Sequence, residues 1–303
     1  MYLGIDFLVT AQLEPYVIEV NVGLPGGAQE YDRAHRVRYG KSSDIFRRIE
    51  QTCVNVYGKP FREYIYSLPF IESLKPFKIW MDGMGPYPDT FHPGLRLEDK
   101  WIQYQLLSPR VRMPETLLYD PSDLAPAQEL FRKKGTLVLK GRVGRGGRHF
   151  QMLAGHADLS ALGTVPRACL VQEHIKSKVD RYVFSIRSIA FGGEFMCMYA
   201  NLSLRAYSNH GILAFVSEGT GLGLSESDFS TTHFSEKSWE SEIWFGPDDP
   251  PYLRHNLYED EVASTALCLP ESLYTEVIQL SVKIERWYEA IDHSSLPKAC
   301  FEQ

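Results

Sequence analysis

The chain has 303 residues, 44% of them hydrophobic, and a formal net charge of −6. That is enough apolar material for one large domain or two coupled lobes, and the charge balance, with no long basic run, argues against nucleic acid as a principal partner. Five scattered cysteines (Cys53, Cys169, Cys197, Cys268, Cys300) argue against a disulfide framework or a zinc site and suit a reducing, cytoplasmic compartment. No apolar run approaches the roughly 18 residues of a membrane span. The start lacks a basic region and Asp6 interrupts its apolar run, so no signal peptide is expected. There is no internal repeat and no low-complexity segment.

The first element is "YLGIDFLV", residues 2–9, an apolar strand with one acid, Asp6. Polar "TAQLEP" reads as a hairpin loop into "YVIEVNVGLPGG", residues 16–27. Tyr16, Val17, Ile18 and Val20 form strand, and Pro25, Gly26 and Gly27 stop it. Glu19 and Asn21 stand two residues apart and so point to one face. On a lone strand this is ordinary alternation with the polar face in water. Beside Asp6 on the neighbouring strand, the three become hard oxygen ligands at the end of a sheet, a set that suits Mg²⁺.

Next, "SSDIFRRIEQTCVNVYG", 42–58, has serines at an N-cap and apolar residues at helical spacing. Residues 59–96, rich in Pro, Gly and aromatics, read as a wrapping connection with a short strand at "FKIWM". "RLEDKWIQYQLLS", 96–108, reads as an amphipathic helix, and "AQELFRKK" as a short helix before the strand "TLVLKG". In "LVLKGRVGRGGRHF", 137–150, that strand delivers Lys140 to a loop with Gly144, Gly146 and Gly147. Such a loop can turn backbone N–H groups toward an anion, and a lysine adds a point charge for phosphate. It is neither a Walker loop nor a Rossmann fingerprint, and a plain basic hairpin loop would look the same. "LVQEHIKSKVD", 170–180, is a strand ending in a polar turn, with Asp180 as an acid for ribose hydroxyls. "RYVFSIRSIAF", 181–191, and "EFMCMYANLSLRA" are strands joined by a tight turn at Gly192 and Gly193. Residues 208–255 are polar and Ser/Gly-rich, with no assignable element. The clearest helix is 270–291, with Leu273, Val277, Leu280, Ile284 and Tyr288 on one stripe.

Taken together, these segments resemble the ATP-grasp superfamily. Lys100 in "EDKW" matches its first lysine, and Lys140 before "GRVGRGG" the second. "VQEHI", with Glu173, His174 and Ile175, is similar to the linker strand that lies against adenine. "SIRSIAFGG" with Arg187 matches a later strand loosely. "GIDF", "YVIEVN" and "PG" match the strands whose Asp6, Glu19 and Asn21 hold ATP-bound Mg²⁺, at the spacing of D-alanine ligase-like members. The resemblance spans most of the chain apart from roughly 28–95 and 208–260. The order differs: the metal strands come first here and last in ordinary members. Joining "SVKIERWYEAIDHSSLP" to "MYLGIDFLVT" restores it, so the chain resembles a circularly permuted member. The implied fold is α+β, two lobes with antiparallel sheets enclosing ATP. Residues 1–60 with 208–303 would form the metal lobe and 61–99 a connection. Residues 100–207 would form the nucleotide lobe, continuing into the catalytic sheet. Residues 292–303 are expected near residues 1–3.

The resemblance implies an ATP- and Mg²⁺-dependent ligase that joins a carboxylate to an amine through an acyl phosphate, with ATP and Mg²⁺ as cofactors. Lys100 and Lys140 would neutralise phosphate, the 144–147 loop would close over it, and Arg187 and Arg205 would meet the γ-phosphate or a substrate carboxylate. Two departures stand out. Some members carry an arginine two residues before the metal aspartate, where this chain has Gly4, and the asparagine-rich stretch after the "GG" strand is reduced to "YANLSLRA" with Asn201. Small-molecule carboxylate and amine substrates are expected, amino acids or a peptide among them, with no nucleic acid and no membrane. Assembly as a homodimer stays open. A phosphotransferase and a non-catalytic ATP-binding interaction protein are the competing readings.

Overall fold

The computed structural model describes residues 1–83, 90–144, 150–155, 169–204, 211–236 and 258–297. Two sheets organise them. The larger has nine strands and starts from the hairpin of β1 (Leu3–Val9) and β2 (Pro15–Asn21). The other edge of β1 pairs antiparallel with β8 (Tyr182–Phe191), which pairs with β9 (Glu194–Ser203), and β9 with β10 (Ile212–Gly219). β10 then runs parallel to β13 (Tyr258–Pro270). β13 also carries β11 (Gly223–Leu224) and β12 (Thr231–Glu236), and β7 (Lys178–Val179) pairs with β8. The smaller sheet has the order β3 (Thr116–Leu118), β6 (Cys169–Glu173), β4 (Leu137–Gly141), β5 (Gln151–Leu153). Helix α6 (Ala125–Lys134) lends Leu130 and Phe131 to that sheet's own core of Leu137, Leu139, Leu153, Cys169 and Val171.

Helices bury both faces of the large sheet, which is why β1 is buried almost throughout and reads as a continuous apolar run. On one face, Leu3, Ile5, Phe7 and Val9 join Leu273, Val277, Ile284 and Tyr288 of α7 (Glu271–Glu289). The expected stripe needs one correction: Ser281 is fully buried while Leu280 is only partly covered. A small residue allows close approach there. Ser281 Oγ meets Ser188 Oγ at 2.6 Å and donates to the Val277 carbonyl at 2.7 Å, so its polar atom is satisfied. The end of α7 reaches the start of β1, where the Met1 nitrogen contacts Glu285 and Glu289. Residues 298–303 lie outside the described residues; of the expected approach of 292–303 to 1–3, the structure shows Met1 and His293 lining one cavity, while the Leu296 carbonyl accepts from Arg96 Nη1 (3.2 Å).

The opposite face is covered by the helix expected over 42–58 and by flanking segments in which no helix was expected. Residues 28–83 form four helices: α1 (Ala28–Tyr39), α2 (Ile45–Tyr57), α3 (Phe61–Tyr66) and α4 (Ile71–Gly83). Ile45, Ile49, Phe61, Ile65, Phe70, Leu74 and Phe77 pack with Tyr2, Ile189 and Phe191 in a second core layer. The short strand expected at "FKIWM" is therefore corrected to helix. Phe70, Leu74 and Phe77 recur at helical spacing, and burial of that stripe outweighs the hydrogen bond lost at Pro76 inside α4. The helix expected over 96–108 is also divided. A 3-10 turn (Pro93–Glu98) precedes α5 (Lys100–Leu107), and Asp99 caps α5 by accepting from Trp101 N at 2.8 Å.

Candidate functional site

The register of the large sheet builds a polar row. Glu19 of β2 lies opposite Asp6 of β1, Asp6 opposite Arg187 of β8, and Arg187 opposite Tyr199 of β9. Directly opposed residues share a face, so all four side chains stand on one side. A bulge makes this possible. Val17 and Val20, three apart, are both buried, which strict alternation forbids; the register shifts between Asp6 and Phe7, and Ile18 is the extra residue. Its carbonyl accepts from Lys140 Nζ at 3.3 Å, so the bulge also docks the small sheet onto the large one.

Arg187 holds Asp6 through Nε to Oδ1 and Nη2 to Oδ2, the latter at 2.7 Å. Asn21 Nδ2 donates to Asp6 Oδ2 at 3.4 Å and to the Gly4 carbonyl at 3.3 Å, so its amide oxygen is the atom it would offer a cation. Lys100 Nζ stands 3.3 Å from Glu19 Oε1 and donates to the Gly144 carbonyl at 3.2 Å. Three cations (Lys100, Lys140, Arg187) thus surround two carboxylates, an excess of positive charge where the small sheet meets the large one.

Electrostatics follow from this crowding. Burial works against a charged Glu19, but Lys100, Lys140 and Arg187 outweigh it and hold its carboxyl below the ordinary value. Burial raises the carboxyl of Asp6 despite Arg187. Burial also opposes the guanidinium charge, yet Asp6 overcomes it and keeps Arg187 protonated. Burial, with Lys100 beside it, lowers Lys140 to about 8, against the pull of Glu19. The sign of the stability effect follows. Between about 8 and the ordinary lysine value of about 10.4, the unfolded chain binds a proton that the folded one lacks, so stability rises with pH across that window. Denaturant midpoints of wild type and Lys140→Met at pH 7 and 9.5 check this. Wild type is expected to gain on the variant at the higher pH, and a constant difference would contradict the lowered lysine.

Further residues hold the site and had no signal in the sequence. β2 is an edge strand, and Gln103 completes its ladder: Oε1 accepts from Val20 N (2.9 Å) and Nε2 donates to the Val20 carbonyl (2.6 Å). Glu98 Oε1 accepts from Val22 N (2.5 Å) and Gly23 N (2.6 Å), fixing the turn after Asn21, in which Leu24 is left-handed with φ 58°. Asp99 forms a buried pair with Arg142, Nε–Oδ1 3.1 Å and Nη2–Oδ2 2.5 Å. Gly4 leaves room for neighbours. A Cβ there would lie 2.9 Å from Pro25 Cβ and 3.3 Å from Arg187 Cδ, so Arg187 occupies the space that a side chain at position 4 would take.

The row and its lysines thus bring together Asp6, Glu19, Asn21, Lys100, Lys140, Gly144 and Arg187. Glu173 lies further along β6, where Lys134 pairs with it at 2.9 Å and Glu115 N donates to it at 3.2 Å. His174 N donates to the Thr136 carbonyl (3.2 Å), and Ile175 is buried. Asp180 is not brought in. It is exposed in the β7–β8 turn with φ 49°, and at ~3.3 Å per residue it sits roughly 20 Å along the strand from Arg187. Gly146, Gly147 and Arg205 lie outside the described residues, as does most of the 142–148 loop.

Among the described residues no three His, Cys, Asp or Glu side chains gather as a metal site. Two carboxylates and an amide oxygen are nonetheless the chemistry of a Mg²⁺ site, since that ion keeps several waters and is completed by phosphate oxygens. Among the described residues no helix is long and apolar enough to cross a membrane. No protein-family model matches the chain, and no curated protein matches it.

Proposed function

We propose that the chain is an ATP- and Mg²⁺-dependent carboxylate–amine ligase of ATP-grasp type, with its elements in permuted order. The observation that carries this reading is the Glu19–Asp6–Arg187 row on three adjacent strands, faced by Lys100 at the start of α5 and by Lys140 of β4 in the second sheet. An α+β pair of sheets with three cations where they meet supports it, as does the contact between the end of α7 and the start of β1. In this reading Asp6, Glu19 and Asn21 hold Mg²⁺, which when bound neutralises the phosphates and orients the terminal one. Lys100 and Lys140 bind phosphate oxygens and restrain them. A carboxylate oxygen of one substrate attacks the γ-phosphorus and ADP leaves. The amine nitrogen then attacks the acyl carbon, phosphate leaves, and the nitrogen loses a proton. The residues around the cleft keep water from the acyl phosphate.

ATP consumption that requires both an acid and an amine, with one ADP and one phosphate released per bond, is the expected result. Turnover with the acid alone would favour a phosphotransferase. One observation favours a non-catalytic nucleotide binder: Arg187 already takes both oxygens of Asp6. The ligase reading requires the guanidinium to exchange that carboxylate for phosphate, so ATP affinity should depend on Mg²⁺. Affinity equal with and without Mg²⁺, and no turnover, would favour the binder.

A further inference from the structure

We propose that Glu30 anchors the cationic nitrogen of the amine substrate, an inference that rests on the ligase reading above. The polar row continues past Arg187 to Tyr199 and then to Phe215 of β10, and α1 lies over this end, with Tyr31 against Phe215 at 5.6 Å between ring centroids. Glu30 stands in the first turn of α1 and is only 8% exposed. Its Oε2 is buried and has no hydrogen-bond partner among the described residues. Its Oε1 lies 2.9 Å from where a Cβ on Gly26 would stand, and the carbonyl of the same Gly26 accepts from Arg187 Nη1 at 3.4 Å. Glu30 and Arg187 therefore meet on two sides of one residue.

The neighbouring basic groups of α1 have other carboxylates. Arg33 pairs with Asp260, and Arg36 Nε with Asp32 at 2.6 Å. The N-cap of α1 is Gly27, which has no side chain to supply the other half of a capping box with Glu30. The phenols of Tyr2 and Tyr199, the thiol of Cys197 and the carboxyl of Asp260 all lie within its electrostatic reach. Its charge, after burial, raises the phenol of Tyr199. A buried carboxylate with an open lone pair is costly, and a bound cation removes that cost. The placement suits an acceptor. Glu19, Lys100 and Lys140 lie on the β2 side of Arg187, where phosphate would sit, and Glu30 lies on the other. A carboxylate there repels phosphate and selects a positively charged nitrogen, so the ammonium form binds, gives one proton to solvent water, and then attacks through the freed lone pair.

Thermal unfolding of wild type, Glu30→Gln and Glu30→Ala tests this, with Mg·ADP alone and with Mg·ADP plus glycine, L-alanine or n-butylamine. Wild type is expected to be further protected by at least one amine, and both variants not, while their Mg·ADP affinity stays within about twofold. Free Glu30→Gln should melt at or above wild type, because a buried carboxylate oxygen without a hydrogen-bond partner has been removed. In turnover its KM for the amine should rise about tenfold to a hundredfold, the loss of one charge-assisted bond. Equal protection of wild type and variants, or a lower melting temperature of Glu30→Gln with amine protection kept, would make Glu30 a structural residue of α1 and overturn the proposal. Binding of Mg·ADP without protection by any of the amines would overturn it while leaving the nucleotide reading standing. Failure of Mg·ADP to bind at all would remove the ligase reading and this inference with it.

Discussion

Glu19→Gln is expected to lower Mg²⁺-dependent ATP turnover by about a thousandfold while the protein folds as before. Glu19 is ionised near neutrality because three cations hold its carboxyl low, so the substitution removes a full negative charge and keeps the shape. The fold has little stake in it. The β2 edge is held by Gln103 and Glu98, and Glu19 is a quarter exposed. The nucleotide response separates a metal ligand from a general loss of the site. Without Mg²⁺, removing an acid from a cleft of three cations leaves ATP affinity equal or higher. With Mg²⁺, affinity falls toward the metal-free value. Calorimetric titration in EDTA and in Mg²⁺ measures both. Wild-type turnover in this variant, or equal weakening in both buffers, would remove Glu19 from the metal set.

The legible part of this site was the part where polar residues break an apolar pattern. An acid inside "GIDF" and an acid and amide inside "YVIEVN" can only face a common site once the strands pair, and they do pair, Asp6 opposite Glu19. The bulge at Ile18 was hidden because it shows only when Val17 and Val20 are both seen to be buried. Glu98 and Gln103 were read as the polar face of an amphipathic helix, the correct local description, but their partners are backbone atoms of β2 far away in sequence. No element was assigned over α1, a charged segment that holds Asp32 and Arg33. In the fold both are buried, Asp32 satisfied by Ser43 N at 2.6 Å and Ser43 Oγ at 2.7 Å, and Arg33 by Asp260. Strands β10 and β13 went unread for a different reason. They pair in parallel across a long connection, so no turn signal marks them.

Asp99→Ala is expected to be the most destabilising single change near the site, at about 3–5 kcal/mol for the buried pair and about 1 kcal/mol more for the lost helix cap. The Asp99 and Arg142 side chains are 2% and 6% exposed, so the guanidinium would stay buried without this carboxylate. Asp99→Asn divides the two contributions. Its amide oxygen can still accept from Trp101 N, so it should lose the ion pair and keep the cap, and lie about 1 kcal/mol above the alanine variant. The consequence for the site follows from connectivity. Lys100 N donates to the Arg142 carbonyl at 2.9 Å and Lys100 Nζ to the Gly144 carbonyl at 3.2 Å, so the start of α5 and the start of the glycine loop form one joint, with Asp99–Arg142 as its pin. Loosening it moves Lys100 away from Glu19, and ATP affinity should fall in the folded Asn variant although the residue changed touches no phosphate. Denaturant unfolding of the three proteins measures the first effect and nucleotide titration the second. A loss under about 1 kcal/mol in both variants would show that Arg142 is held by other means. Normal stability with weakened ATP binding would instead place Asp99 in direct contact with the nucleotide.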